Sequence, residues 1–172
     1  MTRARPLDLD GLLNYAARAL AGRAQTSSEL REKLKRRAAR REDVEEVMRR
    51  LKDSGFLNDK RFAESFARWR RENDGFGKAR VLRDLMARRV APSLARETAD
   101  AAFRQVDEEA MIEQFLARKF RGKDLAALLG EEKHLASAYR KLRGAGFSAG
   151  NSIRVLKRYA AQAERLEDLE AE

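Results

Sequence analysis

Residues 80–90 read RVLRDLMARRV, and two other stretches follow the same pattern, ELREKLKRRAA at residues 29–39 and SAYRKLRGAGF at residues 137–147. In each stretch two apolar residues stand four positions apart, and a small or apolar residue follows five positions after the second: Leu30, Leu34 and Ala39; Val81, Leu85 and Val90; Ala138, Leu142 and Phe147. Residues four apart share one face of a helix. Because the pattern recurs at intervals of roughly 50 to 60 residues, it predicts an array of helical repeats.

The remainder of the chain also has helical periodicity. Apolar residues recur at intervals of three and four, no useful stretch alternates as a strand does, and the prolines are limited to Pro6 and Pro92. We predict an all-α fold, an elongated array of three tandem three-helix repeats. The predicted divisions are an N-terminal lead-in with the first repeat (1–57), the second repeat (58–106), the third repeat (107–163) and an acidic C-terminal tail (164–172).

Local signals predict where several helices begin and end. Thr26 and Glu29 have the spacing of a capping box, and Ser54-Gly55 is typical of a helix end with a left-handed residue. Asn58-Asp59 are predicted to cap the next helix, and Pro92 suits a first helical turn. Phe62, Phe66 and Trp69 then follow at helical spacing, so we predict that they form one core stripe.

The charge of the chain limits its function classes. The formal net charge is +10, with 38 Lys and Arg against 28 Asp and Glu, which favours a polyanionic partner such as nucleic acid. Cysteine is absent, so disulfides and thiolate metal sites are excluded. No segment approaches the roughly 18 consecutive apolar residues of a membrane span. We expect a cytoplasmic binding protein rather than an enzyme, without a metal or cofactor.

Basic residues concentrate in four groups, the first three of which we treat as binding candidates by residue. The first is an acid-free run of six cations, Lys33, Lys35, Arg36, Arg37, Arg40 and Arg41. The second surrounds a Gly-Phe-Gly turn and comprises Arg68, Arg70, Arg71, Phe76, Lys78, Arg80 and Arg83. The third is Arg118, Lys119, Arg121 and Lys123 beside Phe120, and the fourth is Arg140, Lys141 and Arg143. Each group is read either as a contact surface for phosphates or carboxylates or as a solvated helix face.

Two stretches of the middle repeat resemble a known family. DSGFLNDKRFAESFAR at residues 53–68 contains a Gly-aromatic-Leu-Asn-Asp-x-Arg-Phe-Ala run, and GFGKARVLRDLMARRV at residues 75–90 contains a second run. Both resemble the RecX family, the bacterial regulators of the RecA recombinase. The residues that carry the resemblance are read as mainly structural: Gly55, Phe56, Leu57, Asn58, Asp59, Arg61, Phe62, Ala63, Gly75 and Leu85, with Arg80, Val81 and Asp84.

The resemblance implies a stack of three-helix repeats that binds in the groove of the RecA filament on single-stranded DNA. It implies a negative regulator that dampens strand exchange, ATP hydrolysis and coprotease activity. The expected partners are the RecA filament and single-stranded DNA, with double-stranded DNA as an additional candidate; a membrane is not expected, and the chain is expected to be a monomer. The alternative is a basic, all-helical DNA-binding or architectural protein without RecA specificity.

Overall fold

The computed structural model describes residues 5–160 and residue 163. These residues form ten helices and no strand, which confirms the predicted all-α fold. The helices are α1 (Leu9–Gly22), α2 (Ser27–Lys35), α3 (Arg41–Asp53), α4 (Asp59–Glu72), α5 (Lys78–Ala87), α6 (Pro92–Phe103), α7 (Glu108–Lys119), α8 (Leu125–Leu129), α9 (Glu132–Ala145) and α10 (Ala149–Lys157). The acidic tail predicted at 164–172 lies outside the described residues, and the repeat boundaries stay predictions.

By contacts the chain divides into two compact units, and the division passes through α4, α5 and α6. The first compact unit is the described part of Met1–Phe66 together with Leu85–Thr98. Its main core is formed by the apolar faces of α1, α2 and α3 and by one residue of the turn between α3 and α4: Leu12, Ala16, Leu30, Leu34, Val44, Val47, Met48, Leu51 and Leu57. This core buries the first copy of the repeated apolar pair.

The second compact unit consists of Ala67–Asp84 and the described part of Ala99–Glu172. Its core comes from α7, α8, α9 and α10, including Ile112, Leu116, Leu129, Leu135, Leu142, Phe147 and Leu156. Phe115 and Phe147 meet edge to face with their ring centroids 5.6 Å apart. The third repeated pair, Ala138 and Leu142, is buried within this core, and burial of its apolar side chains stabilises the unit.

The helix ends confirm several of the predicted signals. Thr26 and Glu29 form both halves of a capping box at the start of α2. Gly55 has a φ of 73° after α3, and α6 begins at Pro92. Asn58 caps α4 by accepting a hydrogen bond from the Arg61 amide (2.9 Å). Asp59 does not cap its own helix as predicted, because its carboxylate accepts a hydrogen bond from the Ser27 amide at the start of α2 (2.7 Å).

Two of the three repeated stretches end in the same backbone geometry. After α5 the Val90 amide donates to the Leu85 carbonyl (3.1 Å), and after α9 the Phe147 amide donates to the Leu142 carbonyl (3.2 Å). The residue before each of these amides has a positive φ, 59° at Arg89 and 93° at Gly146. This is the Schellman helix end, and it turns Val90 and Phe147 inward, where both are buried.

The first repeated stretch ends differently. Ala39, in the position of Val90 and Phe147, is exposed. Its amide donates to the Leu7 carbonyl (2.8 Å), and the Leu7 amide donates to the Arg37 carbonyl (2.7 Å). The extended segment before α1 therefore satisfies the Ala39 amide, whereas in the other two stretches the corresponding amide bonds back to its own helix.

The predicted core stripe of α4 is wrong at its C-terminal end. Phe62 is buried and stacks on Phe66 with centroids 5.7 Å apart, but Phe66 is only partly buried and Trp69 is 53% exposed. Ala63 and Ala67, at 0% exposure, form the fully buried face of α4 instead. These small residues allow close packing of the helix, whereas Trp69, seven residues after Phe62 on the same stripe, lies outside that packed face.

Candidate nucleic-acid and protein interface

The acid-free run of the first basic group is partly neutralised in the fold. Lys35 pairs with Glu32 (3.1 Å), one residue before the run, and this hydrogen bond lowers the pKa of Glu32. Arg40 pairs with Asp43 (3.1 Å), and that hydrogen bond raises the pKa of Arg40. Acids that flank the run thus engage two of its six cations.

The other members of the first group divide into two kinds. The Arg37 guanidinium lies over the Tyr15 ring, 5.6 Å from its centroid, so it takes part in packing. Lys33, Arg36 and Arg41 have no ion pair with any residue that the structure describes. Arg36 and Arg41 are exposed, and Lys33 is partly exposed. These three cations are the ones that remain available for an external anion.

The second group is largely a structural network around the Gly75-Phe76-Gly77 turn. Arg70 pairs with Asp84 and with Asp74 (2.6 Å), and Arg80 pairs with Asp84 (3.0 Å). Burial alone lowers the pKa of Arg70, but its hydrogen bonds with Asp84 and Asp74 outweigh that effect and raise the pKa. Each of these two arginines therefore has a fixed carboxylate partner.

Phe76 lies between the same two arginines. The guanidinium carbons of Arg70 and Arg80 are 4.8 Å and 5.2 Å from its ring centroid. The ring is partly buried and packs against the core of the second compact unit. Phe76, predicted as a binding candidate, therefore has a packing role that accounts for its position.

Four further candidates bind groups of the protein itself. Lys78 pairs with Asp100 (2.7 Å), and Arg71 pairs with Glu72 (2.7 Å) and donates to the Ala102 carbonyl. Arg83 donates to the Gly144 carbonyl (3.2 Å). Arg118 donates to the Asn73 and Asp74 carbonyls, at 3.3 Å and 2.7 Å, and so secures the turn before Gly75. Arg68 is exposed and has no ion pair among the described residues.

The third group keeps three exposed cations, Lys119, Arg121 and Lys123. They follow one another at the end of α7, around Phe120. Lys141 of α9 lies above that ring, with its ammonium nitrogen 5.8 Å from the centroid. The third and fourth sequence groups, about 20 residues apart along the chain, therefore meet at Phe120.

The glycines of the middle repeat allow a close approach between α5 and α9. The Gly77 amide donates to the Ala145 carbonyl (2.9 Å), and the Ala79 amide donates to the Gly146 carbonyl (3.2 Å). A Cβ atom on Gly77 would lie 2.7 Å from the Phe147 nitrogen. Only glycine fits at this contact.

The residues that carry the family resemblance have unequal roles. Leu57, Phe62, Ala63 and Leu85 are buried, and Arg61 donates to the Gly55 carbonyl (3.0 Å). Phe56, by contrast, is 72% exposed in the turn between α3 and α4. Its side chain is therefore not explained by packing, unlike its neighbour Leu57.

Arg88 is an organising residue that the sequence did not single out. Its guanidinium pairs with Glu29 (2.6 Å) and donates to the Ala24 carbonyl (3.1 Å). It also covers the Phe62 and Phe66 rings, at 4.9 Å and 5.5 Å from their centroids. The sequence signal for Arg88 was Glu29. Its carboxylate uses one oxygen in the capping box and leaves the other for a cation from elsewhere in the chain.

The described residues offer no alternative site for metal chemistry. They contain no group of three or more His, Asp or Glu side chains arranged to hold a metal ion. The side chain of His134 lies 3.4 Å from that of Glu131. Nor does any helix in the described part of the chain have the length and apolar character needed to cross a membrane.

Fold and surface together define a class: a basic, all-helical protein that, among its described residues, carries several exposed cations without ion pairs. Residues 58–98 match the family model described as "RecX, second three-helix domain". The chain is 36% identical over 144 residues to the regulatory protein RecX of Deinococcus radiodurans, covering 84% of this chain and 65% of that protein. It is 31% identical over 156 residues to the regulatory protein RecX of Streptomyces coelicolor, covering 89% and 78%. The chain belongs to the RecX family of regulatory proteins.

Solved structures agree at the level of the fold. The crystal structure of RecX from Lactobacillus salivarius superposes with a TM-score of 0.67 at 18% identity, covering 88% of this chain and 96% of that one. A second crystal structure, of a regulatory protein RecX, superposes with a TM-score of 0.62 at 20% identity, covering 86% of this chain and 72% of that one. The tandem three-helix organisation predicted from the repeats is consistent with both.

Proposed function

We propose that this protein is a negative regulator of RecA that binds in the groove of the RecA filament on single-stranded DNA. Binding there dampens strand exchange, ATP hydrolysis and coprotease activity. The observation that carries the proposal is the likeness to proteins named regulatory protein RecX along 84% to 89% of the chain. The family resemblance of the middle repeat supplies RecA as the target.

The distribution of unpaired cations supports a multivalent mode of binding. Lys33, Arg36 and Arg41 lie in the first compact unit, and Lys119, Arg121 and Lys123 lie in the second. Each group alone makes weak, salt-sensitive contacts with an anionic surface. Joined in one chain, such contacts add at high effective concentration, which suits a partner that presents the same anionic groups repeatedly.

The test is RecA-dependent ATP hydrolysis on single-stranded DNA, measured with increasing amounts of this protein. We expect the rate to fall as the protein saturates the filament. An unchanged rate under conditions where the protein is shown to be bound would contradict the proposal. A folded small basic protein of unrelated sequence and similar net charge is the control for non-specific competition.

The alternative is a DNA-binding protein without RecA specificity, and the same unpaired cations favour it. The two functions differ in their response to salt. Binding to the filament is expected to persist at a salt concentration that removes the protein from bare DNA, because protein contacts add to phosphate contacts. Parallel loss of both complexes would favour the alternative.

A further inference from the structure

The end of α7 and the helix α9 meet in a basic part of the second compact unit, which we call the Phe120 surface: Lys119, Phe120, Arg121, Lys123, Arg140 and Lys141. Lys119 ends α7, the next three follow in the turn after it, and Arg140 and Lys141 belong to α9. The position of Lys141 above the Phe120 ring brings the two elements together. Along the sequence they belong to separate groups.

The charge of this surface is uncompensated within the described part of the chain. None of its five cations forms an ion pair there, whereas pairs engage Arg70, Lys78 and Arg80 elsewhere in the same unit. Asp124 is the nearest carboxylate along the chain. One of its oxygens accepts hydrogen bonds from the Ala126 and Ala127 amides, at 2.9 Å and 3.2 Å, to cap α8.

The backbone and side chains hold the surface in a defined shape. The Phe120 amide donates to the Leu116 carbonyl (2.9 Å), and the Lys123 amide donates to the Phe120 carbonyl (3.0 Å). Gly122, with a φ of 78°, allows this tight reversal. Lys141 donates to the Ser137 hydroxyl (2.5 Å), which fixes its ammonium group near the ring. Fixing the turn that carries Arg121 and Lys123, together with the Lys141 ammonium group, in advance reduces the entropy lost when a ligand binds.

The chemistry of the surface favours single-stranded nucleic acid over an acidic protein. Closely spaced cations attract both, but the partly exposed Phe120 ring adds an apolar edge among them. Unpaired bases stack on or pack against aromatic rings while their phosphates contact neighbouring cations. Acidic side chains gain nothing from the ring. A duplex keeps its bases paired and stacked, so their faces are not available to the ring.

We propose that the Phe120 surface binds the phosphates and an exposed base of single-stranded DNA directly, without RecA. The inference rests on the proposed function, because it assigns the DNA contact of the filament complex to one face of the second compact unit. Arg118 and Arg143 are outside the site, since they donate to backbone carbonyls, Arg118 to that of Asp74 (2.7 Å) and Arg143 to that of Phe147 (2.5 Å).

The test uses the full chain and a fluorescent oligothymidine, with anisotropy measured at several salt concentrations. The site variant combines Lys119→Gln, Arg121→Gln and Lys123→Gln. The control variant combines Lys52→Gln, Lys60→Gln and Arg96→Gln, three exposed cations of the first compact unit that also lack ion pairs among the described residues. Both variants lose the same net charge, and circular dichroism checks that both remain helical.

We expect the site variant to bind at least about tenfold more weakly and its log–log salt slope to shrink by about 2, since each lost phosphate contact on a single strand contributes roughly 0.7. The control variant should change much less. Equal losses in the two variants would overturn the proposal, because they would show that only net charge matters.

Two further arms test the nature of the ligand. The site variant should lose more affinity for the oligothymidine than for a duplex of equal length, and polyglutamate should compete poorly with the oligothymidine. Equal loss for the duplex, or effective competition by polyglutamate, would contradict the assignment to single strands. Direct binding without RecA is measured independently of RecA inhibition, so failure of the proposed function and failure of this site give different results.

Discussion

Arg89 and Gly146 occupy the same position in two of the repeated helix ends, although only one is a glycine. A left-handed backbone costs a non-glycine residue roughly 1–2 kcal/mol, and replacing that residue by glycine removes this cost. Part of the gain is lost again, because glycine loses more conformational entropy on folding. We predict that Arg89→Gly raises the free energy of unfolding by about 0.5–1 kcal/mol, measured by urea denaturation. A destabilised variant would indicate that the Arg89 side chain itself makes a stabilising contact.

The Glu29–Arg88 pair predicts a specific dependence on pH. Burial raises the pKa of Glu29, but hydrogen bonds from Arg88 and the Thr26 amide outweigh it, so the net pKa lies below its ordinary value of 4.5. A carboxyl whose pKa is lowered by folding stabilises the protein above its unfolded pKa, and this contribution is lost as the pH falls through the folded pKa.

We therefore predict that Glu29→Gln costs about 1–2 kcal/mol near neutral pH, since it removes a charge-assisted hydrogen bond. The difference from wild type should stay constant down to about pH 5.5 and shrink below it. Urea denaturation of both proteins at a series of pH values measures this. A difference that does not depend on pH would show that the ion pair is not its source.

At the scale of the helix, α4 carries one buried aromatic residue, Phe62, and one exposed aromatic residue, Trp69. Trp69→Ala should change the free energy of unfolding by less than about 0.5 kcal/mol, because its ring is 53% exposed. Phe62→Ala, on the buried face of the same helix, should cost about 3 kcal/mol or more. Chemical denaturation compares the two. A large loss for Trp69→Ala would mean that its ring is enclosed in solution.

The contact between α5 and α9 predicts a sharp difference between two glycines. Gly77→Ala should cost at least about 2 kcal/mol, because its methyl group would overlap the backbone at Gly146 and Phe147. Gly144→Ala is the matched control: no atom lies within 4 Å of its added Cβ, and alanine favours the helix by up to about 1 kcal/mol. In thermal and urea denaturation, Gly77→Ala should lower the free energy of unfolding and Gly144→Ala should raise it. Equal effects of the two variants would exclude the close approach of α5 and α9.

For the whole molecule, the distribution of ion pairs decides which basic residues are available to a partner. In the first compact unit, Lys33, Arg36 and Arg41 lack ion pairs among the described residues, whereas Lys35 and Arg40 are paired. Changing the first three to Gln should reduce filament affinity more per charge removed than changing Lys35 and Arg40 to Gln. Titration of RecA filaments with each variant measures this, and equal losses per charge would contradict the distinction.

Much of the architecture follows from local patterns in the sequence. The helical class, the capping box at Thr26 and Glu29, the end of α3 at Gly55 and the start of α6 at Pro92 are set by short-range periodicity and backbone preferences, which neighbouring residues express without long-range information. Family membership is readable for the same reason, because its motifs consist largely of helix caps, turn glycines and buried apolar positions.

The candidate surface depends on contacts that no local pattern contains. Burial of Trp69 was predicted from helical spacing, but spacing does not specify where a neighbouring element ends. The six cations of the first group cannot be told apart as paired or unpaired from the sequence. The division of the chain into two compact units was also not predicted. Composition indicates a basic protein suited to an anionic partner, and the periodicity of apolar residues determines its helical fold. Tertiary structure decides which cations are paired and which meet at Phe120, because an ion pair forms only where folding brings opposite charges within about 4 Å.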